Sequence, residues 1–109
     1  MSDSLQRLAE NVRAFIEKRD WAKYHNPKDI AIALSIEASE LLEIFQWRKA
    51  EREISDEDLQ KIRLETADVV IFALSMANAC RFDLEKAVLE KISINEGKYP
   101  VSKSKGLFD

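Results

Sequence analysis

The apolar positions of this chain recur with a helical period along most of its length. Leu5, Leu8, Ala9, Val12, Phe15 and Ile16 fall at spacings of three and four, which predicts an amphipathic helix over residues 4–19. Residues 20–26 are aromatic and polar without that period and read as a connection. Asn26-Pro27 offers an N-cap followed by proline at the first helical position, so a second helix is expected from residue 27 to about 49. Residues 50–54 form a charged connection. Ser55-Asp56-Glu57-Asp58 is a capped, acidic helix start, and the third helix is expected to reach about Ala79. Arg81-Phe82 turns the chain, and Asp83 caps a fourth helix running to about Glu96. Gly97 then Pro100 mark its end, leaving 101–109 as a loosely held tail. Asn-Gly and Asp-Gly hairpin signals are absent. The expected fold is all-α, a single four-helix domain.

Helical phase adds an unusual feature. At about 100° per residue, Ala33, Leu34, Glu37, Leu41 and Ile44 all lie within about 60° of Ile30. Glu37 is therefore in the middle of an apolar stripe, with Glu40 at its edge. On the third helix, Glu65 shares a face with Val69, Phe72 and Met76, and Asp68 lies one step aside. Glu43 points about 120° from Glu37 and is expected in solvent or behind Glu40. Two helices thus aim two carboxylates each at their apolar sides, and packing them together makes the four acids converge. Residues 69–80 are apolar nearly all round. Such a helix needs cover on several sides, and a domain this small has few helices to supply it. An oligomeric bundle follows, a dimer or a pair of dimers.

Composition narrows the classes. The 109 residues suffice for one small domain. A net charge of -3 and a pI near 5.3 give no electrostatic reason to expect nucleic-acid or membrane partners. No apolar run approaches the ~18 residues of a membrane span, and no basic-apolar signal opens the sequence. The single cysteine, Cys80, forms no internal disulfide and reads as a buried structural thiol. A cytoplasmic protein is expected.

Four acids brought together on apolar faces are costly unless a cation compensates them. Oxygen donors of this kind suit a hard divalent ion such as Mg²⁺, and four of them exceed the need of one ion, so one or two could bind. That arrangement suits phosphoryl chemistry. A di-iron carboxylate bundle needs Glu-x-x-His motifs, and the lone His25 lies outside any such motif. Cys80 and His25 alone cannot make a zinc site. The competing readings are ordinary helix-surface acids, a nucleotide-binding module without catalysis, and a purely structural helical oligomer.

Glu37-x-x-Glu40, a spacer of 24 residues, and Glu65-x-x-Asp68 resemble the metal motif of the MazG-like nucleoside triphosphate pyrophosphohydrolases. Arg19-Asp20-Trp21, His25-x-Pro27, the run from Glu37 to Trp47 and Asn95-x-x-Lys98-Tyr99-Pro100 resemble the branch that includes the dCTP pyrophosphatases. The resemblance covers roughly residues 5–102. It implies an all-α fold, Mg²⁺ dependence, and hydrolysis of an NTP or dNTP to the monophosphate and pyrophosphate in dNTP pool housekeeping. It also implies a homo-oligomer, dimer or tetramer, in which base and phosphate contacts can come from different subunits. Residue by residue, it implies metal binding and catalysis by Glu37, Glu40, Glu65 and Asp68. It implies base-pocket roles for Trp21 and Trp47, and phosphate- and sugar-side roles for Lys91, Asn95, Lys98 and Tyr99. Trp47 follows Glu40 by two helical turns, so an indole there would bracket a base whose phosphates reach the ion. Lys91, Asn95 and Lys98 share one face of the fourth helix. Val12 and Phe72 stand where the dCTP-preferring relatives carry a histidine and a tyrosine. Two polar groups are thereby missing near the pocket, and a broader dNTP range is expected.

Overall fold

The computed structural model describes residues 2–48 and 53–104. Four long helices account for most of them, with no strand among the described residues. They are α1 (Ser2–Lys18), α2 (Pro27–Glu43), α3 (Asp56–Cys80) and α4 (Leu84–Lys98), and one further turn, α5, covers Val101–Ser104. The all-α expectation therefore holds.

Three helix starts are set by the residues that the sequence marks. Asn26 Oδ1 accepts from the Asp29 amide at 2.9 Å, Ser55 Oγ from the Asp58 amide at 3.1 Å, and Asp83 Oδ1 from the Lys86 amide at 3.1 Å. Each satisfies an amide with no partner inside its own helix. The connection at 20–26 differs from expectation, since Ala22–Tyr24 winds into a 3-10 turn.

The helix ends depart further from the sequence reading. α2 stops at Glu43, about six residues short of the expected Lys49, which lies outside the described residues together with 50–52. Beyond Glu43 the backbone tightens to bonds spanning three residues, from Phe45 N–H to Leu42 O (2.9 Å) and from Arg48 N–H to Phe45 O (3.0 Å). Trp47 then turns left-handed at φ 72°. Arg48 folds back to pair with Asp58 of α3, a long-range tie that helical periodicity does not register. At the other end, Gly97 is inside α4 rather than after it. The stop comes from Pro100, which disfavours helical geometry at Tyr99; Tyr99 sits at φ -125° as the C-cap. Residues 105–109 of the expected tail lie outside the described residues.

α2 and α3 run antiparallel and form the main packing pair, with α1 laid across α3 and α4 resting lightly on α1. Arg13 donates to Asn78 Oδ1 (3.1 Å), and Asn78 Nδ2 donates to the Ala9 carbonyl (3.0 Å), which pins α1 to α3. The fully enclosed apolar core is small: Ile30, Leu74 and Ala77. Cys80, expected to be buried, is exposed, because one chain leaves the last turn of α3 uncovered. The accessible surface is 9047 Å², against about 6,200 Å² for a compact monomer of 12.6 kDa. The radius of gyration is 16.9 Å, where about 13 Å suits a compact domain of this length. No helix among the described residues is long and apolar enough to cross a membrane.

Candidate metal and nucleotide site

The seam between α2 and α3 carries the site. Because the helices are antiparallel, the start of α2 meets the end of α3, and the two acid pairs meet midway. Glu37, Glu65 and Asp68 each place a carboxylate oxygen so that all three lie within 4.8 Å of one another. Glu40 stands outside that trio but within hydrogen-bonding reach of both Glu37 and Glu65. All four are half-buried.

The electrostatics are those of like charges forced together. Burial pushes the Glu37 carboxyl from its ordinary 4.5 up to about 7, helped by the hydrogen bond and charge of Glu40 and by the charges of Asp68 and Glu65. Burial likewise raises Glu65, with Glu40 and Asp68 adding to it. Glu37 Oε2 and Glu65 Oε2 are buried with no hydrogen-bond partner among the described residues. Orphaned carboxylate oxygens in a cluster of hard donors fit a divalent ion, which would satisfy both and relieve the repulsion. Three protein oxygens at this spacing could hold a metal.

Toward the start of α2, the seam opens into a cavity of about 510 Å³. Its walls are mostly apolar, with Phe15 and Ile16 of α1, Ile30 and Ala33 of α2, and Phe72 of α3. Val12 and Phe72 both line it, so the wall at these positions offers no hydrogen-bonding group. Trp21 also lines it, meeting Phe15 edge-on at 5.8 Å between ring centroids. The Arg19 guanidinium lies over the Phe15 ring at 3.7 Å. His25 Nδ1 lies 3.0 Å from the Trp21 carbonyl oxygen. A carbonyl only accepts, so Nδ1 carries the proton and the ring buttresses the Trp21 loop.

On the other side of the acids, the seam opens into a polar cleft of about 370 Å³. Glu40 and Glu65 line it together with Glu43, Arg48, Asp58 and Lys61. Asp58 is buried, and the Arg48 guanidinium holds its carboxyl below the usual range. Lys61 was open to sequence reasoning, since it precedes Glu65 by one turn on the same face. The Arg48–Asp58 pair left no sequence signal, because the chain must bend back to make it.

The remaining expected residues are placed elsewhere. Trp47 is not two helical turns along the face of Glu40, because α2 has ended. It is 93% exposed and lines neither the cavity nor the cleft. Lys91 and Lys98 are exposed on α4, Asn95 is half-buried, and Lys98 Nζ stands 5.4 Å from the Tyr99 ring centroid. None of these four lines the cavity or the cleft, so one chain does not bring them to the acids.

Comparisons with known proteins bear on the family and the fold. The MazG-like family model matches residues 32–108. The chain is 36% identical to dCTP pyrophosphatase 1 of Bos taurus over 96 residues, which is 84% of this chain and 57% of that protein. It is 37% identical to dCTP pyrophosphatase 1 of Homo sapiens over 90 residues, 79% of this chain and 53% of the relative. The chain thus spans about half the length of the curated relatives it matches. A solved structure of a pyrophosphatase from Archaeoglobus fulgidus superposes with a TM-score of 0.76 at 38% identity, covering 89% of this chain and 93% of that one.

Proposed function

This chain belongs to the MazG-like family, and from that premise we propose that it hydrolyses nucleoside triphosphates, chiefly dNTPs, to the monophosphate and pyrophosphate. The observation that carries the reading is the convergence of the Glu37, Glu65 and Asp68 oxygens, two carboxylates of the set holding orphaned buried atoms, beside an apolar cavity large enough for a base. Mg²⁺ is the proposed ion, because the donors are all hard oxygens and the substrate brings phosphate oxygens of its own. When bound, it supplies neutralisation of phosphate charge in the transition state.

The residues divide the work. Glu37, Glu65 and Asp68 would hold the ion. Glu40, outside the trio and facing the polar cleft, orients the attacking water. The water oxygen bonds to phosphorus as the P–O bond to the leaving group breaks in line. The cavity holds the base by apolar contact, with Trp21 and Phe15 as its aromatic walls. With Val12 and Phe72 in its lining, base selection is expected to be broad.

The working form is proposed to be a homo-oligomer. The excess accessible surface and the exposed Leu89, Ile92 and Ile94 of α4 support it. In such an assembly Trp47, Lys91, Asn95, Lys98 and Tyr99 serve the site of a neighbouring copy, as base and phosphate contacts. The cytoplasm is the proposed compartment, in keeping with a single unpaired thiol.

The test is pyrophosphate release from the eight common NTPs and dNTPs, with Mg²⁺ and with a chelator. Release is expected only with Mg²⁺, and Glu37→Gln is expected to lower the rate at least ~100-fold while leaving helicity unchanged. A Glu37→Gln protein that turns over at the normal rate would overturn the reading.

A further inference from the structure

The α2–α3 seam orders three environments along one line. The apolar cavity takes Ile30 and Ala33 from α2 and Phe72 from α3. The acids follow at Glu37, Glu40, Glu65 and Asp68. The polar cleft comes last, at Glu43 and Arg48 on one side and Asp58 and Lys61 on the other. At 1.5 Å rise per residue, Phe72 to Glu65 is about 10 Å and Glu65 to Lys61 about 6 Å. A nucleotide whose base occupies the cavity and whose phosphates pass the acids must direct its far end into the cleft.

We propose that this cleft receives the β- and γ-phosphates, the part that leaves as pyrophosphate, and that Lys61 is the cation that binds them. The proposal rests on the pyrophosphohydrolase reading above and extends it to a residue on which that reading does not depend. Among the described residues two cations line the cleft, and they differ in commitment. Arg48 is tied to the buried Asp58, and removing it from that partner leaves a buried charge unpaired. Lys61, whose charge also reaches Asp58, pairs at 3.6 Å with Glu57, both side chains more than half exposed. Such a pair contributes little and is easily exchanged for a phosphate oxygen. A flexible ammonium one turn from Glu65 reaches the same cleft that Glu40 and Glu65 border.

Charge makes this binding conditional. Among the described residues, Glu40, Glu43, Asp58 and Glu65 outnumber Arg48 and Lys61 in the cleft. A free pyrophosphate is repelled until a divalent ion offsets the acids. Pyrophosphate therefore binds only where Mg²⁺ is present.

The experiment is calorimetric titration of the full chain with inorganic pyrophosphate, with Mg²⁺ and with a chelator, read beside its hydrolysis of dNTPs. The expected result is Mg²⁺-dependent binding that Lys61→Ala weakens about tenfold, the factor one partly exposed charge-assisted contact supplies. Lys61→Arg restores it. Lys86→Ala, a charge change on α4 away from the cleft, leaves it unchanged. In hydrolysis, Lys61→Ala raises KM more than it lowers kcat. Pyrophosphate binding equal in Lys61→Ala and the unsubstituted chain overturns the proposal, and so does a chain that hydrolyses dNTPs yet binds no pyrophosphate. A chain that hydrolyses no nucleotide triphosphate in the panel overturns the pyrophosphohydrolase reading, and the proposal falls with it.

Discussion

Glu37 is the residue where the local chemistry is most tightly set. Its carboxyl is pushed up to about 7 by burial and by the neighbouring Glu40, Asp68 and Glu65. Without metal, the folded chain therefore holds a proton on Glu37 over a range where the unfolded chain, with an ordinary value of 4.5, has lost it. Where the folded state binds more protons, stability falls as pH rises. The stabilisation is fully present below 4.5 and is lost as pH climbs through about 7. Thermal melts in chelator are expected to show a falling Tm from pH 5 to 8, flattened by Glu37→Gln and offset by added Mg²⁺. A melt in chelator that is flat over this range would count against the burial. The acids were legible because an i, i+3 pair on an apolar stripe violates the ordinary rule that charges face water. Their unequal placement was less so. The sequence put Glu40 at the edge of the stripe, and only packing decided that Glu37, Glu65 and Asp68 form the close trio.

α2, α3 and α4 begin where the sequence places them, whereas α2 ends well before the expected Lys49 and α4 runs past the expected Glu96. N-caps are local: a side-chain oxygen at Asn26, Ser55 or Asp83 reaches an amide three residues on, and the pattern is visible in the chain. Ends depend on more distant events. Past Glu43 the chain leaves the helix, Trp47 takes a left-handed bend, and Arg48 turns back to pair with Asp58. That stop moved Trp47 off the face that helical extrapolation gave it. α4 shows the converse, running through Gly97 to Lys98. Among the described residues, nothing beyond its own helical turn lies within 4 Å of where a Cβ on Gly97 would stand. Gly97→Ala is therefore expected to stabilise the chain by about 0.5–1 kcal/mol, through helix propensity alone. Denaturant unfolding would check this, and a loss of stability would show that the space is filled in the assembled protein.

For the molecule as a whole, burial is sparse: among the described residues only Ile30, Leu74 and Ala77 are buried apolar side chains, while Leu89 is 60% exposed and Trp47 almost wholly so. A second copy covering α4 would bury these residues and bring its own cations toward the acids. Leu89→Asp costs little in an isolated chain, where the position faces water, and much at an interface. Light scattering of the unsubstituted protein is expected to give at least twice 12.6 kDa, and Leu89→Asp is expected to lower that mass and the activity together. Equal masses near that of one chain would exclude the assembly. The sequence signalled this need through the all-round apolar run at 69–80. Cys80, at the end of that run on the last turn of α3, is exposed in one chain, where an apolar neighbourhood in sequence suggested burial.

Local pattern alone carries the helical class, the starts of α2, α3 and α4, the helix faces on which the acids lie and the apolar character of the cavity wall at Val12 and Phe72. These depend on periodicity and on contacts a few residues apart, which a chain carries wherever it folds. The tertiary structure decided the ends of α2 and α4, the outward placing of Trp47, the close trio of acids and the cleft that Lys61 shares with Glu40 and Glu65. Each of these requires two segments distant in sequence to meet in one register. That register follows from how α2 and α3 pack together, and no single stretch of the chain encodes it.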